Sequence, residues 1–168
     1  MSSEQHRQTA QKQIRAAVLT ISDSRTLETD SSGAFLAQAL LEQEHLVLAR
    51  AIVKDDPEAI LAQLEQWLST DVQVIFSTGG TGITKRDNTI PVIESLLEKP
   101  MPGFGELFRM LSYQEVGAAA MLSRATGGLA KGGKCLIFAM PGSLNAVKTA
   151  WKGIFAKELP HLVHEVVR

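Results

Sequence analysis

Three times before residue 100 a short apolar run, rich in β-branched residues, gives way to a polar or glycine turn and then to apolar residues at helical spacing. Ile14 to Ser22 precedes Phe35, Leu36, Ala39 and Leu40. His45 to Val53 precedes Ile60, Leu61, Leu64 and Leu68, and Val72 to Phe76 precedes a helical pattern from Thr89 to Leu97. Runs that lack an apolar/polar alternation read as strands buried on both faces. Repeated alternation of such strands with helices implies right-handed crossovers and a mainly parallel sheet covered on both sides. The expected fold class is therefore α/β, with three α/β/α layers. Ala125 to Ala130 and Lys134 to Met140 flank the Gly132-Gly133 turn and predict an antiparallel hairpin at one sheet edge. Ser31-Ser32-Gly33 and Asp55-Asp56-Pro57-Glu58 read as helix starts. Pro100, Pro102, Gly103 and Gly105 predict an irregular loop before a helix that begins at Glu106. Asn145 to Phe155 and Lys157 to Val167 predict a closing pair of helices.

A chain of 168 residues, 45% of them hydrophobic, fills one core, so a single domain is expected over residues 14–168, with the polar residues 1–13 as a flexible arm. A formal net charge of -1 gives no bulk attraction to nucleic acid or to an acidic membrane, so any anion site has to be local. The lone cysteine, Cys135, excludes an intramolecular disulfide, and its apolar surroundings favour an inert thiol. The polar start and the lack of an apolar run of about 18 residues point to a cytoplasmic protein with no membrane partner.

The most informative local pattern is Ser77-Thr78-Gly79-Gly80-Thr81-Gly82, which follows a buried strand and leads toward a helix. Backbone amides there can converge on an anion while the hydroxyls add donors, although a tight turn without a ligand has the same pattern. It is neither a P-loop nor a dinucleotide fingerprint. Lys85 and Arg86 suit phosphate, and Asp87 suits a hard cation. Asp55 and Asp87 could equally cap helices, since a capping carboxylate and one that holds Mg²⁺ look alike in sequence. Pro141-Gly142-Ser143 ends another strand in the same way, and Ser22-Asp23 ends the first. Arg109 and Arg124 are secondary candidates for an anionic ligand.

Together, Thr20 to Ser24, STGGTGITKRD (77–87), PGFGELFRML (102–111), Ser123-Arg124-Ala125 and FAMPGS (138–143) resemble the MoaB/Mog family of molybdenum cofactor biosynthesis proteins. Met140 to Ser143 with Thr149-Ala150-Trp151 resembles the MoaB branch more closely. The resemblance implies a molybdopterin-binding fold that assembles as a homotrimer or homohexamer and works beside other proteins of that pathway. It also implies a nucleotidyltransferase that adenylylates molybdopterin with ATP and Mg²⁺, or a non-catalytic carrier or scaffold on the same loops. Carried over by position, Asp55 and Asp87 are the catalytic and Mg²⁺-binding residues. Ser77 to Gly82, Lys85, Arg86 and Pro141 to Ser143 bind pterin and phosphate, with Ser22, Asp23, Glu106, Arg109 and Ser123 as further contacts. Phe104, Phe108, Met110 and Leu111 are expected at a subunit boundary.

Overall fold

The computed structural model describes residues 13–130 and 132–168. All but one residue of the expected N-terminal arm lie outside them. Strands β1 (Arg15–Ile21), β2 (Leu46–Val53), β3 (Val74–Thr78), β4 (Leu97–Pro100), β5 (Thr126–Ala130) and β6 (Leu136–Met140) form one sheet in the order β2-β1-β3-β6-β5-β4. β2, β1, β3 and β6 are mutually parallel, while β5 runs antiparallel to both β6 and β4. The β5–β6 hairpin is present, but the edge beyond it belongs to β4, a strand the sequence reading missed.

The helices are α1 (Ser31–Glu42), α2 (Pro57–Leu68), α3 (Thr89–Leu96), α4 (Pro102–Val116), α5 (Leu144–Ala150) and α6 (Ala156–Val167), with a 3-10 turn at Gly117–Leu122. Successive strand residues point to opposite faces, so β3 sends Val74 and Phe76 into one core and Ile75 into the other. β6 does the same with Phe138 and Ile137. The larger core lies under α1, α4, α5 and α6, and the smaller under α2 and α3. Phe76, Phe104, Phe138 and Phe155 meet at the centre of the larger core, with ring centroids 4.8–5.0 Å apart for the Phe138–Phe155, Phe76–Phe155 and Phe104–Phe138 pairs. Burying such a side chain fully contributes about 1.5–3 kcal/mol, so this cluster anchors α4 and the C-terminal helices to the sheet.

Several local expectations are corrected. α4 begins at Pro102, not Glu106, because proline fits a first helical turn, and Phe104 and Phe108 supply a buried face that outweighs the two glycines. Those two phenylalanines are 4% and 0% exposed within their own subunit, so neither lies at a boundary; Leu111 packs partly against the same core, and only Met110 of the four is exposed. Asp30, rather than Ser31 or Ser32, caps α1 by accepting from the Gly33 N–H. The closing pair of helices is one helical run with a π turn at Trp151–Phe155, where the Ala156 N–H donates to the Trp151 carbonyl. Packing keeps the run continuous: Trp151, Ile154 and Phe155 in the turn and Leu159 and Val163 beyond it all enter the larger core.

His45 sits at the opposite end of the sheet from the strand carboxyl termini. Its Nδ1 accepts the Ile14 N–H at 3.3 Å, and its buried Nε2 has no partner among the described residues. Burial lowers its pKa below the ordinary histidine value. The unfolded chain then binds the proton more readily, so this contribution is complete above the ordinary histidine pKa and is lost as pH falls toward the depressed folded value. Urea unfolding is expected to show stability dropping by up to about 1.4 kcal/mol per pH unit below pH ~6.5. The His45→Gln variant should have a flatter profile, and identical slopes in the two proteins would exclude His45 as the cause.

Candidate functional site

After β1 the chain moves to one side to form β2 and then returns past β1 to form β3 on the other. α1 covers one face of the sheet and α2 the opposite face, so a crevice opens at the carboxyl ends of β1 and β3. Four loops meet there, following β1 (22–24), β2 (54–56), β3 (79–82) and β6 (141–143). The Ser22 N–H donates to the Val53 carbonyl at 2.9 Å, and the Gly79 N–H to the Met140 carbonyl at 3.1 Å. The Asp55 N–H donates to Asp23 Oδ1 at 3.0 Å, and the Ser32 hydroxyl to the Gly142 carbonyl at 2.7 Å.

Ser77 and Thr78 are not loop residues. They are the last two positions of β3 and are fully buried, and neither hydroxyl has a partner among the described residues. Because side chains alternate along the strand, Thr78 faces the α1 side and lines the crevice. The loop itself is Gly79 to Gly82. Gly79 has φ +92°, and a Cβ there would strike the Ile21 carbonyl oxygen. A turn over residues 83–88 separates the loop from α3, which begins only at Thr89. The loop is still tied to that helix, since the Thr89 N–H donates to the Gly80 carbonyl and its hydroxyl to the Gly79 carbonyl at 2.8 Å.

The two aspartates flank this loop. A Cβ on Gly80 would come within 3.0 Å of Asp55 Oδ2, and one on Gly82 within 2.7 Å of Asp87 Oδ2. Asp55 is not a helix cap; Asp56 takes that role for α2. Asp55 Oδ1 accepts from the Asn88 backbone N–H and side-chain amide, leaving Oδ2 without a hydrogen bond among the described residues. Asp87 Oδ2 accepts from the Thr84 hydroxyl at 2.6 Å and the Thr84 N–H at 2.9 Å. The Thr84 hydroxyl is the main reason its carboxyl is held below the usual range, with backbone amides and Arg124 adding to the effect. Nor is Asp87 the cap of α3, where Asn88 takes the cap position. Arg86 reaches Asp23 in the loop after β1, while Lys85 is exposed on the turn. No group of three or more His, Cys, Asp or Glu among the described residues is placed to hold a metal. Mg²⁺ retains most of its waters and takes one or two protein carboxylates, a donor set that Asp55 and Asp87, packed against Gly80 and Gly82, can supply.

The crevice, about 100 Å³, is lined by Thr20, Ser22, Ser31, Ser32 and Gly142 as well as Thr78. Its rear wall is Asp30, 3% exposed, whose Oδ1 accepts the Gly33 N–H and whose Oδ2 accepts from Thr20 Oγ1 at 2.7 Å and Arg50 Nη2 at 3.2 Å. Asp30, Arg50 and Asn88 were not singled out from the sequence, and Ser32 was read only as part of a helix start. The signal for Asp30 was its place just before a helix start. For Arg50 it was a charge inside an otherwise apolar strand, which needs a partner to be buried.

The remaining candidates are more dispersed. Ser143 caps α5, its Oγ accepting the Ala146 N–H at 3.2 Å. Glu106 and Arg109 line a separate groove of about 260 Å³ with Pro100, Gly105 and Thr126, by the carboxyl end of β4. Ser123 Oγ lies 3.4 Å from Ser112 Oγ. Arg124 links that side to the glycine loop through its Nε and the Thr81 carbonyl, at 2.9 Å. Cys135 is buried, and burial pushes its thiol pKa up to about 12, so it remains protonated and unreactive.

The switch-point crevice and its four loops are those of a ligand-binding α/β domain. A family model described as "Probable molybdopterin binding domain" matches residues 17–161, and the chain belongs to that family. It is 48% identical over 170 residues to molybdenum cofactor biosynthesis protein B of Bacillus cereus, covering 100% of this chain and 99% of that one. It is 52% identical over 161 residues to the protein of the same name from Staphylococcus carnosus, covering 94% of this chain and 93% of the relative. A crystal structure of a molybdenum cofactor biosynthesis protein B superposes with TM-score 0.90 at 48% identity, covering 95% of this chain and 99% of that chain. The tungsten cofactor synthesizing protein MoaB from Pyrococcus furiosus superposes with TM-score 0.86 at 36% identity, covering 95% and 100%. No helix among the described residues is long and apolar enough to cross a membrane.

Proposed function

We propose that this chain acts in molybdenum cofactor biosynthesis, where it binds molybdopterin and adenylylates it with MgATP. The observation that carries the reading is the pair Asp55 and Asp87 on either side of the glycine loop, at the carboxyl end of a parallel sheet. An oxygen of the pterin's terminal phosphate attacks the α-phosphorus of ATP; the bond to the β-phosphate oxygen breaks, and pyrophosphate leaves with that electron pair. No covalent protein intermediate is needed, so catalysis lies in positioning and charge. Within the loop the Gly79 N–H is bonded to the Met140 carbonyl and the Gly82 N–H to Asp87, so the Gly80 and Thr81 amides hold a phosphate, while Ser22, Thr78, Gly142 and Ser143 enclose its neighbour. Arg86 and Lys85 offset the charge that develops on the phosphate chain. Asp55 and Asp87 would hold Mg²⁺, which supplies charge neutralisation to the polyphosphate.

The same proposal includes a homotrimer or homohexamer formed through Leu107, Met110 and Tyr113 of α4, which are 49–63% exposed. Purified protein incubated with molybdopterin, ATP and Mg²⁺ is expected to release pyrophosphate and yield the adenylylated pterin. Asp87→Asn should lower this rate about tenfold to hundredfold, equivalent to roughly 1.4–2.7 kcal/mol of barrier. Pterin binding without pyrophosphate release would replace the enzyme with the carrier reading. Light scattering on the same sample reads the oligomer mass, and a monomer would remove the assembly.

A further inference from the structure

Asp23, in the loop after β1, performs two separable tasks. Its Oδ1 accepts the Asp55 N–H at 3.0 Å and so ties the β2 loop to the β1 loop. Its Oδ2 holds Arg86 Nη2 at 3.0 Å and draws that guanidinium across from the turn after the glycine loop. The first task needs only an acceptor oxygen, whereas the second needs charge. The Arg86 and Asp23 side chains are 83% and 42% exposed, and water screens such a pair until its net worth is small. A guanidinium on phosphate, by contrast, forms paired charge-assisted hydrogen bonds. Arg86, on the turn after the glycine loop, is therefore held by a partner it can leave at little cost.

We propose that Asp23 is an internal competitor for Arg86, holding the guanidinium when the crevice is empty and yielding it to a polyphosphate, so that Asp23 sets the affinity of the site for phosphate-bearing ligands. This rests on the adenylylation reading only in taking a nucleoside triphosphate as ligand. The direction of the effect is unusual for a residue lining a site, because removing its charge should strengthen binding.

Calorimetric titration with ATP at fixed low ionic strength, without added metal, tests it on four proteins: the unmodified chain, Asp23→Asn, Arg86→Gln and the double variant. Asparagine keeps an oxygen for the Asp55 N–H while removing the charge. Asp23→Asn is expected to bind ATP about 1.5- to 5-fold more tightly, the fold-change that matches the worth of an exposed ion pair. Arg86→Gln should bind more weakly, and adding Asp23→Asn to it should change nothing further, since a competitor matters only while Arg86 is present. Tighter binding that persists in the Arg86→Gln background overturns the proposal, because it would be simple relief of repulsion between carboxylate and phosphate. Equal or weaker binding by Asp23→Asn overturns it as well. Failure of all four proteins to bind ATP overturns the competitor; because the titration omits the Mg²⁺ of the proposed reaction, adenylylation is then decided by the pyrophosphate assay. The expected coupling without pterin turnover removes adenylylation alone and supports the competitor.

Discussion

Asp30→Ala is expected to lower the unfolding free energy by about 3–5 kcal/mol, the usual cost of removing one partner of a buried ion pair. The reason lies in what remains. Asp30 and Arg50 side chains are 2% and 24% exposed, and Arg50 Nε already lacks a hydrogen bond among the described residues. Without the carboxylate, the guanidinium keeps, among the described residues, the carbonyls of Leu27 and Asp30 at Nη2. Thr20 Oγ1 loses its acceptor, and the Gly33 N–H at the start of α1 loses its cap. For a chain of this length the melting temperature should fall by roughly 6–20 °C. Asp71→Ala, which breaks the exposed contact to Arg15, should stay within about 0.5 kcal/mol. A loss below about 1 kcal/mol for Asp30→Ala in urea unfolding would show that the crevice wall does not depend on this carboxylate. Because Asp30 also fixes the end of α1 that borders the crevice, ligand affinity should fall with stability.

Gly79→Ala should cost about 2–5 kcal/mol, from two separate causes. The positive φ of +92° is a conformation that L side chains rarely adopt, a penalty of about 1–2 kcal/mol. The new methyl would also strike the Ile21 carbonyl of β1, adding about 1–3 kcal/mol of overpacking. The loop cannot retreat from that carbonyl, because Gly142 packs on it closely enough that a Cβ there would lie 3.1 Å from the Gly79 Cα. Gly132→Ala separates the two causes: Gly132 has φ +96° but open space around its Cβ, so it should cost only the conformational part. Equal losses in the two variants, measured by denaturant titration, would mean that the contact with β1 is not what excludes a side chain at position 79.

The chain order of strands and helices was legible because each depends on neighbours in sequence. β1, β2, β3 and β6 are apolar runs, and Pro57 and Asp56 mark a helix start by local chemistry. β4 was not legible, because Leu97–Pro100 is a single buried residue followed by three exposed ones and becomes a strand only by pairing with β5. The start of α4 was misread for a related reason: Pro102, Gly103 and Gly105 argue locally for a loop, and burial of Phe104 against Phe138 and Phe155, with Phe108 in the same core, overrules them.

At the site the same division holds. Residue types and spacing determined a glycine loop after a buried strand, aspartates after two strands and a second glycine turn, and with them the family. They left open whether Asp55 and Asp87 cap helices, because capping and ligand binding ask for the same carboxylate. Only the tertiary structure decided that, by giving the α2 cap to Asp56 and the α3 cap position to Asn88 and setting the two aspartates against Gly80 and Gly82. It also moved Ser77 and Thr78 out of the loop, joined Asp30 to Arg50 and carried Arg86 over to Asp23. These last two pairs join residues 20 and 63 positions apart. Pattern within a window fixes the elements, but which side chains face one another follows from strand order, and that order is set by the packing of two cores on one sheet.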